Sequence, residues 1–183
     1  MEYKEFDYRK EKIFEEETNH LHFEYLENYL NKTYIVDSIT EVHDKKTQKK
    51  AIDVIINLNN NKILTVELKT DKHPISPNLF LEDMSNIESH NLGWTLKCES
   101  MLLSYGFYDY NKSALTRLYF FQMPPLKRWF FNNYLHYEAK IINNKGYTSR
   151  GRAIPIEDVR KFIIWELKDE IKPSKPLTVG DFF

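Results

Sequence analysis

The chain has 183 residues, 26 Lys and Arg against 27 Asp and Glu, a formal net charge of −1, and 42 % apolar residues. That length fits one domain with a real core, and the balanced charge lacks the basic excess common in nucleic-acid binders, which counts against that reading without excluding it. Cys98 is the only cysteine and glycines number five, which excludes a disulfide framework, a Cys-based zinc site within one chain and a glycine-rich phosphate loop. No apolar run reaches the length of a bilayer span, and the charged N-terminal stretch is no secretory signal, so the expectation is an intracellular, cytoplasmic chain with no membrane partner.

Residues 8–30 carry Phe14, Leu21, Tyr25, Leu26 and Tyr29 at helical spacing with Glu and Lys between them, which predicts a long helix. A strand is predicted over 34–42, and the basic stretch 43–50 reads as a loop. Residues 52–58 and 62–69 are rich in Ile, Val and Leu and are split by Asn59-Asn60-Asn61, so they read as a hairpin. A loop with Pro74 and Pro77 leads to a strand over 78–84, a turn is marked by Asn91 to Trp94, and aromatic strands follow at 101–108 and 115–122. Pro124-Pro125 opens a helix reaching about residue 139. Residues 143–152 read as a loop, and Pro155 opens a last helix over 156–168. Lys172 to Pro176 read as a linker, which gives a single domain over 1–171 with a linker and tail over 172–183. The order of elements predicts an α/β or α+β fold with a central mixed β-sheet flanked by helices.

The chemistry is concentrated in the hairpin. Strand side chains alternate between faces, so Glu67 and Lys69 point one way while Leu64, Val66 and Leu68 point toward an apolar layer. Folding the hairpin about Asn60 sets Leu58 opposite Lys62, Ile56 opposite Leu64, Val54 opposite Val66, and Asp53 opposite Glu67. Two carboxylates so placed destabilise a sheet unless a cation lies between them. Their oxygens are hard ligands suited to Mg²⁺ or Mn²⁺. Lys69 on the same face can orient an attacking water or offset charge on a phosphate. Glu67-Leu68-Lys69 alone is a common pattern of solvated strands. The apolar character of the strand and the acid opposite it turn the pattern toward function.

Asp53, a short spacer and Glu67-Leu68-Lys69 resemble the core motif of the PD-(D/E)XK nuclease superfamily, which includes Holliday-junction resolvases, restriction endonucleases and RecB-type exonucleases. The order of elements matches over roughly residues 10–140, with Ile52 in place of the motif's proline. Residues 78–86 (NLFLEDMSN) and Gly93-Trp94 resemble segments of phage and bacterial nuclease-like proteins. The resemblance implies a restriction-endonuclease-like fold and Mg²⁺-dependent (or Mn²⁺-dependent) hydrolysis of DNA phosphodiesters, endo- or exonucleolytic. Asp53, Glu67 and Lys69 are then catalytic, with Asp53 and Glu67 holding the metal. It also implies a further ligand from the first helix, where Glu15, Glu16, Glu17, Glu24 and Glu27 are available. Glu17, between Phe14 and Leu21 on the apolar face, is the chosen one, with Glu24 one heptad on.

Glu82 is a further acid that could reach the metal from the neighbouring strand. Lys45, Lys46, Lys49 and Lys50, with His43, form a basic loop suited to phosphate, and Arg150-Gly151-Arg152 forms a second. Both also read as solvated charge runs. Trp94, Trp129 and Trp165 are expected in the core, and Cys98 has no local context that would activate it. A homodimer would suit cutting both strands of DNA. Two other readings compete: a nuclease fold without activity that serves as a binding or inhibitory module, and a plain interaction protein whose acids are surface charges.

Overall fold

The computed structural model describes residues 8–32, 34–59, 61–72 and 78–167. Helix α1 (Tyr8–Leu30) buries Phe14, Thr18, Leu21, His22, Leu26 and Leu30, following the predicted periodicity. After it come β1 (Val36–Glu41) and a single helical turn, α2 (Lys45–Gln48). The side chain of Asp44 caps α2 by accepting from the Thr47 N–H at 2.9 Å. Strands β2 (Val54–Leu58) and β3 (Ile63–Asp71) then form the expected hairpin, with Val54 opposite Val66 and Ile56 opposite Leu64. Asn60, the predicted pivot, and the Pro74/Pro77 loop lie outside the described residues. Asn61, next to the pivot, holds φ at 59°, a left-handed conformation that Asn tolerates.

The chain continues through β4 (Asn78–Asn86), β5 (Asn91–Leu92), the turn α3 (Trp94–Lys97), β6 (Leu102–Asp109), β7 (Ala114–Gln122) and α4 (Met123–Asn133). Last come β8 (Ala139–Asn144), β9 (Tyr147–Pro155), the turn α5 (Ile156–Val159) and β10 (Ile163–Leu167). The fold is α/β. A six-stranded mixed sheet has the order β1-β2-β3-β6-β7-β10, with β3 and β6 parallel and the other pairs antiparallel. A second, antiparallel sheet has the order β5-β4-β9-β8. Parallel neighbours require a long crossover, and the one between β3 and β6 contains β4, β5 and α3.

The six-stranded sheet is covered on both faces. On one, α1 presses Leu21, Leu26 and Leu30 onto Val54, Ile56, Leu58, Val66 and Leu68. On the other, Leu79, Leu81 and Ile154 of the second sheet and Leu126 and Phe130 of α4 pack on Leu103, Tyr105, Phe107 and Phe121. Each such fully buried side chain contributes about 1.5–3 kcal/mol. Strand β3 is therefore central and doubly covered, so a charge on it needs a local reason.

Four expectations are corrected. The stretch 43–50 is not all loop, because Asp44 caps a helical turn there. The helix expected to about residue 139 ends at Asn133; a 3-10 turn over Tyr134–His136 follows, and then β8. The loop expected over 143–152 is a β-hairpin, with Asn144 opposite Tyr147 and Gly146 at φ 84° completing a tight turn. The helix expected over 156–168 lasts one turn and a 3-10 turn, after which Ile163, Ile164 and Trp165 form an edge strand on β7. Their β-branched and aromatic side chains suit a ladder better than a helix. The expected linker and tail over 172–183 lie outside the described residues. Among the described residues no helix is long and apolar enough to cross a membrane.

Candidate active site

Asp53 stands at the mouth of β2, one position beyond the ladder. Its N–H donates to the Val66 carbonyl at 2.9 Å, and its own carbonyl accepts from the Val42 N–H at 2.8 Å. The backbone of Asp53 is thus held between β1 and β3. Its carboxylate reaches across the hairpin, where Oδ2 accepts from the Leu68 N–H at 2.9 Å. That holds the Asp53 carboxylate against the Glu67-Leu68-Lys69 segment, one step beyond the Val54–Val66 pair of the expected register.

Glu67 is buried, with 2 % of its surface exposed. Its Oε1 lies 2.6 Å from Lys69 Nζ. Its Oε2 is buried with no hydrogen-bond partner among the described residues. Burial, with the Asp53 carboxylate adding to it against the pull of Lys69, pushes the Glu67 carboxyl up to about 7. Burial alone would lower Lys69, but Glu67 and Asp53 outweigh it and hold the ammonium above its ordinary range. Lys69 keeps 31 % of its side chain exposed, so it faces both the acids and open space.

These residues fit a hard divalent cation. A buried carboxylate oxygen of Glu67 without a hydrogen-bond partner sits beside the half-buried carboxylate of Asp53, which faces the cleft. Among the described residues no group of three or more His, Cys, Asp or Glu clusters as a ligand set. Two carboxylates are nonetheless a normal protein share for Mg²⁺, which keeps several waters and takes substrate phosphate oxygens.

Two clefts flank the triad. One, of about 710 Å³, is lined by Asp53 with Glu15 and Glu16 of α1, Glu41 of β1, and His43 and Lys45 of the following connection. The other, of about 490 Å³, lies on the second-sheet side and is lined by Lys69, Lys72, Trp94, Phe80 and Lys140 among others. Lys69 Nζ lies 5.3 Å from the centroid of the Trp94 ring.

Trp94 is held in place by Glu82, whose Oε2 accepts from the Trp94 N–H at 3.0 Å. Gly93 precedes it because nothing larger fits: a Cβ there would lie 2.3 Å from the Glu82 carbonyl oxygen. Burial raises the Glu82 carboxyl, with the Trp94 N–H and the charges of Lys97 and Lys69 opposing. Glu82 therefore supports the wall of the second cleft and is turned to the backbone of α3.

Helix α1 is pinned by His22, a buried residue with both ring nitrogens occupied. Nδ1 lies 2.7 Å from Ser104 Oγ and Nε2 lies 2.9 Å from Thr70 Oγ1. Thr70 donates to Thr18 at 3.1 Å, and Thr18 donates to the Phe14 carbonyl at 3.0 Å. That chain leaves Nε2–H as donor to Thr70 and Nδ1 as acceptor from Ser104. Burial first, then the charge of Lys69, lowers His22 to about 3, so it is neutral. Gly106 makes room for the ring; a Cβ there would come within 3.1 Å of His22 Cε1. Glu15 lies seven residues before His22, two turns along the same face, and with Glu16 beside it lines the cleft next to Asp53.

Sequence placed Asp53, Glu67 and Lys69 together, and the structure brings them together. Of the helix acids, Glu15 and Glu16 line the cleft beside Asp53, while Glu17 lies near Tyr108 and Glu24 is exposed near Tyr25. Glu17 and Glu24 are thus off the site, because the face that meets the sheet turns on Phe14, Thr18 and His22. Lys45 lines the acidic cleft, and Lys50 pairs with Glu99 at 2.8 Å. Lys46 and Lys49 are exposed on and beside α2. Arg150 and Arg152 are on strand β9, not on a loop. Arg150 Nη2 lies 2.6 Å from Asp83, and Arg152, 4 % exposed, lies 3.6 Å from the same carboxylate. Trp165 and Trp129 pack in the two cores. Burial pushes the Cys98 thiol up to about 11, as its lack of an activating context predicts. Sequence reasoning named Glu15 and Glu16 among the helix acids but chose Glu17, and it missed Trp94 as a cleft wall and His22 as the pin of α1; a histidine on the apolar stripe of α1 was the readable signal for the last.

No protein-family model, no curated protein and no solved structure matches this chain.

Proposed function

We propose that this chain is a metal-dependent nuclease that hydrolyses DNA phosphodiester bonds with Mg²⁺ or Mn²⁺, and that it works as the resemblance of Asp53 and Glu67-Leu68-Lys69 to the PD-(D/E)XK motif implies. The observation that carries the reading is the Asp53–Glu67–Lys69 arrangement: two carboxylates across one hairpin, with Glu67 Oε2 buried and without a hydrogen-bond partner and Glu67 Oε1 2.6 Å from Lys69 Nζ. Asp53 and Glu67 would hold the cation, whose chemistry there is to lower the pKa of a bound water and to neutralise charge at the scissile phosphate. Glu67 holds Lys69 protonated. Lys69 directs its ammonium at the attacking water or at the phosphate oxygens, where charge builds in the transition state. The N–H of Leu68 fixes Asp53, so the carboxylate is oriented before any ligand arrives.

The test is direct. Supercoiled, linear, single-stranded and branched DNA are incubated with the protein and Mn²⁺, beside Lys69→Ala. Cleavage of at least one substrate by the parent and loss of that cleavage in the variant are expected. No cleavage of any substrate, or equal cleavage by the variant, refutes the reading. Independently, Mg²⁺ should raise the melting temperature of the parent and not that of Asp53→Ala.

A further inference from the structure

The two clefts beside the triad carry opposite charge. The α1-side cleft presents Glu15, Glu16, Glu41 and Asp53 against Lys45 and His43. The cleft on the second-sheet side presents Lys69, Lys72 and Lys140 against a single acid, Asp71, which accepts from the Tyr105 hydroxyl at 3.3 Å. Phosphate backbones follow positive charge, so a strand arriving at Lys69 is repelled on one side and attracted on the other. The basic cleft also offers flat surfaces. Trp94 and Phe80, both half-buried, line it, and Trp94 is locked by Glu82 and by the tight approach at Gly93.

We propose that the cleft lined by Lys69, Lys72, Trp94 and Lys140 seats a single-stranded DNA segment leading to the scissile phosphate, with one base stacked on Trp94. The inference rests on the nuclease reading and names its substrate class. Cationic grooves with interleaved aromatic rings bind single strands, because only unpaired bases present their faces to a side chain. A volume of about 490 Å³ is the size of a small-molecule site. That is room for one unstacked nucleotide. Lys69 Nζ lies over the Trp94 ring, 5.3 Å from its centroid, so a base that stacks on the indole displaces the ammonium from the ring toward the base's own phosphate. The acidic cleft is left as the side from which a cation reaches Asp53.

The experiment measures binding of a fluorescein-labelled 12-nucleotide single strand, and of the same sequence as a duplex, to the full chain in EDTA, where no hydrolysis occurs. The single strand is expected to bind at least tenfold more tightly than the duplex. Lys140→Ala should weaken it and flatten the dependence of log affinity on log salt by about 0.7, the share of one single-strand phosphate. Trp94→Ala should weaken it roughly ten- to hundredfold and Trp94→Phe much less, as loss of one stacked base demands. Lys45→Ala, on the acidic side, should leave binding unchanged. Equal affinity for duplex, or binding that depends on Lys45 and ignores Lys140 and Trp94, overturns the inference. Cleavage with Mn²⁺ is read in parallel. Binding as described without cleavage sinks the nuclease reading alone; cleavage without dependence on Lys140 and Trp94 sinks this inference alone.

Discussion

Replacing Glu67 by Gln removes one buried charge and keeps the shape of the side chain. The Glu67 carboxyl is raised from 4.5 to about 7 in the folded protein. The folded state therefore holds a proton that the unfolded chain releases. That contribution is fully present below pH 4.5, is lost as pH rises toward 7, and is gone above it; the total is about 3 kcal/mol, at 1.36 kcal/mol per tenfold change in proton affinity. His22 acts with the opposite sign. Its folded value is depressed from 6.5 to about 3, so its contribution is present above 6.5 and is lost as pH falls. Between pH 5 and 6.5 the two slopes, each about 1.4 kcal/mol per pH unit, cancel in the parent. Glu67→Gln should uncover the histidine slope there, and above pH 7 in chelator it should be the more stable protein by up to about 3 kcal/mol. At roughly 2–4 °C per kcal/mol for a domain of this size, that is a melting temperature about 6–12 °C higher. The assay is thermal unfolding in EDTA from pH 5 to 8, then again with excess Mg²⁺. Mg²⁺ should close the gap by stabilising the parent only, about 2.7 kcal/mol at a hundred times its dissociation constant. Parallel pH profiles for the two proteins, or an equal response to Mg²⁺, would refute the picture of a strained acid waiting for a cation.

Gly93→Ala should be severe, because the new methyl meets the Glu82 backbone at 2.3 Å and neither strand nor turn can move without losing Trp94; we expect a loss of about 3 kcal/mol or more in chemical denaturation, with Trp94 fluorescence altered. Asp83→Ala should cost about 3–5 kcal/mol, since it strands Arg152 in the interior; a loss under 1 kcal/mol by urea unfolding would show that Arg152 finds water. Gly106→Ala presses Leu115 at 2.8 Å and His22 at 3.1 Å, and should cost about 1–3 kcal/mol while shifting the His22 ring resonances.

The hairpin was legible because its register follows from a two-residue period and a polar turn. Val54 and Val66, Ile56 and Leu64 face each other as the pattern requires, and Asp53 and Glu67 follow without further assumption. The length of α1 was legible from its helical period, since Phe14, Leu21 and Leu26 recur along its buried side. The second sheet was not. Its strand β9 (YTSRGRAIP) is polar because Arg150 and Arg152 are spent on Asp83, and their partner lies in a segment far away in the chain. A strand whose charges are neutralised at a distance reads locally as a loop. The choice among the helix glutamates failed on a related ground. Thr18 and His22, polar residues, occupy buried positions through hydrogen bonds to Ser104 and Thr70, so the true sheet-facing stripe is shifted from the apolar one by enough to exchange Glu17 for Glu15 and Glu16.

The crossover between β3 and β6 also sets a timetable. The β2–β3 hairpin joins residues a dozen positions apart, and its carboxylates can meet as soon as that turn closes. The far wall of the basic cleft depends on β4 meeting β9, and Arg150 reaches Asp83 across 67 positions. Closing so long a loop is slow, and pairings of high sequence separation come late. During synthesis, the segment carrying Asp53, Glu67 and Lys69 emerges well before β9, so the wall that Arg150 and Asp83 tie together is among the last parts of the fold to close.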